Sequence, residues 1–179
     1  MIRLFTALSV PDDVAEAVTR RQAGLPGAAW RTAEQLHITL AFYGELDERR
    51  ADDLSVELER AATGGPFELA LSGVGAFGDA HRTRAVWAGV GANERLSVLA
   101  GRCRSAAERA AIRMERRDYR PHLTLAYLQA GADPDRIGAW IADHNLLQLP
   151  PFRVDRFGLY SSVLTQAGSR YDLEREYVL

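Results

Sequence analysis

The sequence predicts an α+β fold made of duplicated β-α-β-α-β units, which form two pseudo-symmetric lobes around a central cleft. The first observation is a repeated motif: residues 36–40 read Leu-His-Ile-Thr-Leu, and residues 121–125 read Pro-His-Leu-Thr-Leu. The second is a spacing of 85 positions, which separates the two motifs and also separates Phe67 from Phe152. The third is that strand-like and helix-like patterns follow the same order in both halves. Together they indicate an internal duplication.

The elements of the first half are predicted from periodicity and from turn residues. Pro11 and the two aspartates after it suit the first turn of a helix, and Pro26 with its following glycine ends that helix. Asp47 begins a second helix, which ends at a glycine pair. The predicted elements are, in order, strand 3–10, a helix from 11 to 25, strand 36–43, a helix from 47 to 63, strand 67–71, a glycine-rich bend, and strand 83–90.

The second half repeats this order. Cys103 lies on the apolar stripe of its first helix, and Asp133 with Pro134 begins its second helix. No linker or low-complexity segment separates the halves, so we expect a single bilobal domain over residues 1–179. The predicted elements are helix 93–114, strand 121–128, a helix from 133, strand 152–160, and strand 170–178 after a turn around Gln166, Ala167 and Gly168.

Composition restricts the chemistry that the chain can perform. It has 179 residues, a net charge of -2, one cysteine and no lysine, so all 22 basic residues are arginine. Reactions that need a Schiff-base or nucleotidyl lysine are excluded, whereas arginine suits bidentate recognition of phosphate. No apolar run approaches the roughly 18 residues of a membrane-spanning helix, and the strand-like start lacks a signal-peptide cleavage site. We therefore expect a cytoplasmic protein with no membrane association and no cofactor.

The two His-x-Thr motifs carry the chemistry. Side chains alternate faces along a strand, so His37 shares a face with Thr39, and His122 with Thr124. Two imidazoles, each titrating near pH 6.5, can divide proton transfer between a base and an acid. The threonine hydroxyls can donate to the anionic oxygens of a substrate held between them. This pattern suits phosphodiester hydrolysis without a metal.

The motifs and their surroundings resemble a known family. The opening residues 3–8 and the segments 36–44, 73–77 and 120–126 are similar to those of the two-histidine phosphoesterases. Within these, the likeness is to the RNA 2',3'-cyclic phosphodiesterases, historically called 2'-5' RNA ligases. The resemblance implies a bilobal fold with a cleft between two antiparallel sheets. It also implies hydrolysis of the 2',3'-cyclic phosphate of RNA ends or small cyclic nucleotides to a 2'-phosphate, with no obligatory protein partner.

The resemblance assigns roles to individual residues. It implies that His37 is the proton donor and His122 the proton acceptor, with their threonines at the phosphate-binding positions. Many relatives carry arginine where this chain has Tyr127. Arg120, or an arginine from elsewhere in the cleft, is the candidate replacement. Arg120 and Tyr127 are therefore predicted to bind substrate.

Three alternatives remain open. A zinc hydrolase could use the two histidines as ligands, although no His-Glu-x-x-His motif or carboxylate cluster accompanies them. An RNA-end binding module could use the same cleft without catalysis. Ligation by reversal of the phosphodiester chemistry is a third alternative, since the absence of lysine closes a lysyl-adenylate route.

Two groups of residues have two interpretations each. Phe42, Tyr43 and Tyr160 fit either a base-stacking surface or the core. A cluster of arginines fits either a solvated helix face or an RNA-facing strip. Its members are Arg102, Arg104, Arg109, Arg113, Arg116, Arg117 and Arg120.

Overall fold

The computed structural model describes residues 1–79, 82–115, 118–165 and 168–179. Within them, the predicted alternation of strands and helices is present. The strands are β1 (Ile2–Ser9), β2 (Ala28–Trp30), β3 (His37–Leu46), β4 (Phe67–Leu69), β5 (Leu71–Asp79), β6 (Arg82–Val90), β7 (His122–Leu128), β8 (Phe152–Val154), β9 (Arg156–Thr165) and β10 (Gly168–Val178). The helices are α1 (Asp12–Thr19), α2 (Glu48–Glu59), α3 (Glu94–Arg109) and α4 (Pro134–His144).

An antiparallel sheet runs through both lobes in the order β10-β9-β1-β3-β7-β6-β5. Strand β2 pairs with the C-terminal end of β7, beyond the point where β3 contacts it. The lobes meet where β3 and β7 pair at Ile38 and Leu123, whose side chains are both fully buried. Strands β4 and β8 form a separate two-stranded ribbon. The predicted α+β fold with two lobes and antiparallel strands is confirmed. The sheets of the two lobes are continuous, because β3 of one lobe pairs with β7 of the other.

The two sequence repeats exchange strands. Strands β5 and β6 come from the first repeat but pair alongside β7 of the second repeat. Strands β9 and β10 come from the second repeat but extend the sheet from β1 of the first repeat. Each lobe is therefore completed by strands from the other repeat, and the two histidines acquire neighbours from distant parts of the chain.

The helices begin at the capping residues that the sequence indicates. The Asp47 side chain accepts a hydrogen bond from the Arg50 amide (2.9 Å), and Asn93 caps α3 in the same way. Cys103 is buried on the inner face of α3, as its apolar stripe predicts. None of the helices in the described ranges has the length and apolar character needed to span a bilayer.

Matched β-bulges interrupt the two motif strands. The register of β3 against β1 skips Leu40, and the register of β7 against β6 skips Leu125. At each bulge the leucine and the alanine after it, Ala41 or Ala126, are both buried. A bulge places two residues opposite one, so the alternation of faces shifts by one position beyond it.

The shift brings an aromatic residue to the surface of each strand. Phe42 is 47% exposed and Tyr127 is 49% exposed. Strict alternation from the motifs would have placed both rings on the core face. The bulges therefore return both rings to the face that carries the histidines and threonines.

Some boundaries differ from the predictions. The glycine-rich segment is part of strand β5 and not a bend, because it pairs with β6, and Gly75 has no side chain to clash with the Trp87 ring. Helix α3 ends at Arg109, and Ala111 adopts a positive φ of 54° beyond it. Helix α1 ends at Thr19, earlier than predicted. The predicted turn around Gln166 and Ala167 lies outside the described residues.

Candidate active site

The β3–β7 pairing brings the two motifs together on one face of the sheet. Residues paired across antiparallel strands share a face, so the buried pair Ile38 and Leu123 points into the core. Their sequence neighbours, the histidines and threonines of both motifs, point to the other side. The register sets His37 across from Thr124, and His122 across from Thr39. All four predicted residues therefore lie at the junction of the lobes.

Both imidazoles are held in the same way. Nδ1 of His37 lies 2.8 Å from the carbonyl oxygen of Gln35, and Nδ1 of His122 lies 2.7 Å from the carbonyl oxygen of Arg120. A carbonyl oxygen can only accept, so each Nδ1 carries the proton and donates it. In the neutral imidazole, Nε2 is then the nitrogen with a lone pair. Each motif thus presents a nitrogen that can take or return a proton.

The surroundings of His37 are apolar and cationic. Its ring centroid lies 5.0 Å from that of Phe5, and the Tyr171 ring meets it edge-on at 5.1 Å. Burial is the main reason that the pKa of His37 falls to about 4, and the nearby charges of Arg31 and His122 lower it further. The Gln35 carbonyl opposes this shift. His37 is therefore neutral near pH 7 in the free protein.

His122 lies against different rings. Phe77 meets it edge-on at 4.6 Å, and the Trp87 ring centroid is 6.5 Å away. Burial lowers the pKa of His122 below its usual value, and the hydrogen bond to the Arg120 carbonyl opposes that effect. His122 also lies on the wall of an open cleft.

The cleft has a volume of about 1270 Å³, and both motif threonines lie on its wall. Within the described part of the chain, neither threonine hydroxyl takes a protein partner, so both can donate to a bound anion. Predicted residues Arg120 and Tyr127 also line this cleft. Their binding of substrate stays a prediction.

The arginine cluster divides between the two interpretations. Arg104 and Arg113 join Arg120 on the cleft wall. Arg102 donates to the Thr63 carbonyl, and Arg109 pairs with Glu57, so these two stabilise the scaffold. The cluster also includes Arg116 and Arg117, which lie outside the described residues.

The three aromatic candidates have different environments. Phe42 lines the cleft with its exposed ring. Tyr43 also borders the cleft, but its side chain is buried and its hydroxyl lies 3.0 Å from the Thr6 hydroxyl. Tyr160 stacks on Phe5 with a centroid distance of 5.5 Å. Of these three, Phe42 is the one placed to stack on a base.

One candidate functional residue, Arg31, was not singled out by sequence. Its side chain is 8% exposed, and its guanidinium lies 5.4 Å from the Tyr127 ring and 5.6 Å from the Tyr171 ring. Its Nη2 donates to the Tyr171 hydroxyl at 3.1 Å. The contact joins residues 140 positions apart, so no local pattern could have found it. Among the described residues, no three His, Cys, Asp or Glu side chains cluster as a metal site would require.

The chain is similar to known proteins over nearly its whole length. The chain is 31% identical over 177 residues to the RNA 2',3'-cyclic phosphodiesterase of Thermotoga maritima, an alignment that covers 95% of this chain and 91% of that protein. It is 30% identical over 187 residues to the Escherichia coli K12 protein of the same name, covering 99% of this chain and 96% of that protein.

Solved structures share the whole fold. The protein TT0787 of Thermus thermophilus matches with a TM-score of 0.82 and 26% identity, covering 99% of this chain and 97% of that chain. E. coli LigT complexed with 3'-AMP matches with a TM-score of 0.79 and 28% identity, covering 99% of this chain and 98% of that chain. The family model of the 2'-5' RNA ligase superfamily matches residues 10–165. The resemblance predicted from the paired motifs is confirmed, and the chain belongs to the 2'-5' RNA ligase superfamily.

Proposed function

We propose that the protein hydrolyses the 2',3'-cyclic phosphate of RNA ends or small nucleotides to a 2'-phosphate, without a metal. The observation that carries this proposal is the matched pair of imidazoles at the lobe junction. Each is tethered through Nδ1 to a backbone carbonyl, so each Nε2 is available for proton transfer. The names of the relatives support the substrate class.

The reaction assigns one proton transfer to each histidine. Nε2 of His122 takes a proton from water as the water oxygen attacks phosphorus. The bond from phosphorus to the 3' oxygen breaks, and Nε2 of His37 gives that oxygen a proton. The product carries a 3' hydroxyl and a 2'-phosphate, and proton exchange with solvent restores both imidazoles.

The threonines stabilise the charge that develops during attack. Thr39 and Thr124 lie across from the opposite motif's histidine, so a phosphate between the imidazoles would meet both hydroxyls. Hydrogen-bond donors fixed in this way stabilise the transition state more than the ground state, because charge on the non-bridging oxygens grows as water attacks.

Substrate binding also prepares the proton donor. In the free protein His37 has a pKa of about 4 and is neutral at pH 7. A bound phosphodiester places a negative charge beside the ring, which favours the imidazolium form and raises the pKa. The donor is thus charged by the substrate on which it acts.

The test measures hydrolysis of a nucleoside 2',3'-cyclic monophosphate in excess EDTA by the wild type, His37→Ala and His122→Ala. We expect each variant to lose about 10²–10⁴ in kcat, the usual contribution of a general acid or base. His144→Ala is the matched control, because the Nδ1 of His144 also contacts a backbone carbonyl, that of Trp140, at 2.8 Å, but outside the cleft. It should retain wild-type turnover.

Other outcomes would favour the alternatives. A folded wild type that binds the nucleotide but turns over neither it nor a cyclic-phosphate-ended oligonucleotide would indicate a binding module. Activity abolished by EDTA and restored by zinc would indicate a metallohydrolase. Accumulation of 2'-5' linked product from two RNA ends would indicate that the reverse reaction also occurs. Cytoplasmic location and independence of a protein partner stay predictions from the sequence.

A further inference from the structure

Arg31 is a nearly buried cation that has no carboxylate to balance it among the described residues. Several exposed arginines of this protein pair with acidic side chains, as Arg20 does with Glu16. In the described ranges, no such ion pair reaches the Arg31 guanidinium, whose hydrogen-bond partner is the neutral Tyr171 hydroxyl. Burying a charge is costly unless a partner compensates it. An arginine kept in this state indicates an anion that binds beside it.

The backbone places Arg31 beside the reacting groups. It follows β2, and its amide donates to the carbonyl oxygen of Leu125 at 2.8 Å, one residue beyond Thr124 on β7. Its charge also contributes to the depressed pKa of His37 on β3. Arg31 is therefore close to both motifs, between the ends of β2 and β3, which both pair with the same side of β7.

Both Tyr127 and Tyr171 contact the guanidinium of Arg31. Tyr127 and Tyr171 both lie within 6 Å of it, at the separation of cation–π contacts. Guanidinium carries five N–H donors in a planar fork, and the contact to Tyr171 uses one of them. A fork held in one plane can give two parallel hydrogen bonds to a phosphate, which an ammonium group cannot do.

We propose that Arg31 binds the reacting phosphodiester, and that Tyr127 and Tyr171 hold its guanidinium in place for this task. The assignment rests on the proposed function, since it names the ligand of the same site. It also gives Tyr127 a role, because an aromatic ring at that position supports an arginine supplied from the end of β2. Arg31 then supplies from the end of β2 the guanidinium that the position of Tyr127 lacks.

The kinetic test compares Arg31→Gln with the wild type on a nucleoside 2',3'-cyclic monophosphate. Loss of one preorganised donor to a reacting oxyanion typically lowers the rate by about 10²–10³-fold. We expect a decrease of that size in kcat/KM. Arg31→Lys should recover only part of it. Arg95→Gln is the matched control, since Arg95 also lies over an aromatic ring, Phe67, at 5.5 Å but away from the cleft. The control should keep wild-type kinetics.

A second measurement does not depend on turnover. Inorganic phosphate is titrated into each folded variant, and its affinity is measured by calorimetry. We expect at least about tenfold weaker binding in Arg31→Gln, and wild-type affinity in Arg95→Gln. If the wild type binds phosphate through Arg31 but hydrolyses no cyclic phosphate, the proposed function fails while the binding role stands.

Three results would overturn the inference. The first is wild-type kcat/KM and phosphate affinity in a folded Arg31→Gln or, if that variant does not fold, in Arg31→Lys. The second is an equal loss in Arg95→Gln. The third is a loss confined to cyclic-phosphate-ended oligonucleotides, which would assign Arg31 to an upstream phosphate and not to the reacting one.

Discussion

The two halves of the site share one motif but not one environment. Both histidines are tethered to the carbonyl two residues before them, and both strands bulge at the leucine after the threonine. His37, however, lies between Phe5 and Tyr171 with a cation nearby, whereas His122 lines the open cleft. A duplicated motif can therefore give equal orientation and unequal basicity. Unequal environments are how similar titratable groups take different roles.

The difference between the surroundings of His37 and His122 arises from the exchange of strands between the repeats. Tyr171 reaches His37 from β10, while Phe77 reaches His122 from β5. The exchange gives each histidine a ring from the other sequence repeat. Evolution of either repeat could thus change the pKa of a histidine that it does not itself contain.

The largest expected effect concerns the chemical roles of the two histidines, one as acid and the other as base. A nucleotide p-nitrophenyl phosphodiester has a leaving group that needs no proton. On a cyclic phosphate, His37→Ala is expected to lose roughly 10²–10⁴-fold in kcat. On the p-nitrophenyl substrate most of that loss should disappear, because the leaving group does not need an acid. His122→Ala should stay impaired, because water must still be deprotonated. Recovery of His122→Ala instead would reverse the two assignments.

A second prediction concerns the pH dependence. The acid must be protonated, so kcat/KM falls above its pKa, and the base must be deprotonated, so kcat/KM falls below its pKa. Both histidines have lowered pKa values in the free protein, that of His37 about 4. The bell-shaped profile of kcat/KM should therefore peak below roughly pH 6.5, the usual pKa of a histidine.

The profile of kcat should peak at a higher pH than that of kcat/KM, since kcat reports the substrate complex and the bound phosphate raises both pKa values. Steady-state kinetics from about pH 4 to pH 9 measure both curves. A kcat/KM maximum at about pH 7 or above would contradict the environments described for the two imidazoles.

The smallest expected effect is on stability. The pKa of His37 is about 4 in the folded protein and near 6.5 when unfolded. Between these values the unfolded chain binds more protons, so stability is lost as pH falls from 6.5 to 4. The loss is at most about 3.4 kcal/mol for this group. Urea unfolding at about pH 7 and about pH 4.5 measures it, and His37→Asn should show a smaller fall than the wild type.

Much of the site could be predicted from the sequence, because its signals are local. Alternation along a strand placed each histidine with its threonine, and the repeat indicated that the two motifs would meet. The N-terminal caps Asp47, Asn93 and Asp133 act on amides two or three residues away, so local sequence alone located the helix starts. The family followed from the same short segments.

The remaining features were decided by tertiary structure. Bulges at Leu40 and Leu125 turned Phe42 and Tyr127 toward the cleft, against simple alternation. The glycine-rich segment is a strand because it pairs with β6, where Gly75 lies opposite Trp87 and leaves room for its ring. Both outcomes depend on the partner strand and not on the segment itself.

The sequence by itself predicted the two histidines and two threonines as candidate reacting groups and determined that each pair shares one strand face, since this depends on backbone geometry over a few residues. Only the tertiary structure decided how basic each imidazole is and which arginine accompanies them. Tyr171 contacts both His37 and Arg31, and the second of these contacts spans 140 positions. The burial of an imidazole and the electric field at it depend on the side chains that pack around it. In this protein, part of that packing comes from the exchanged strands.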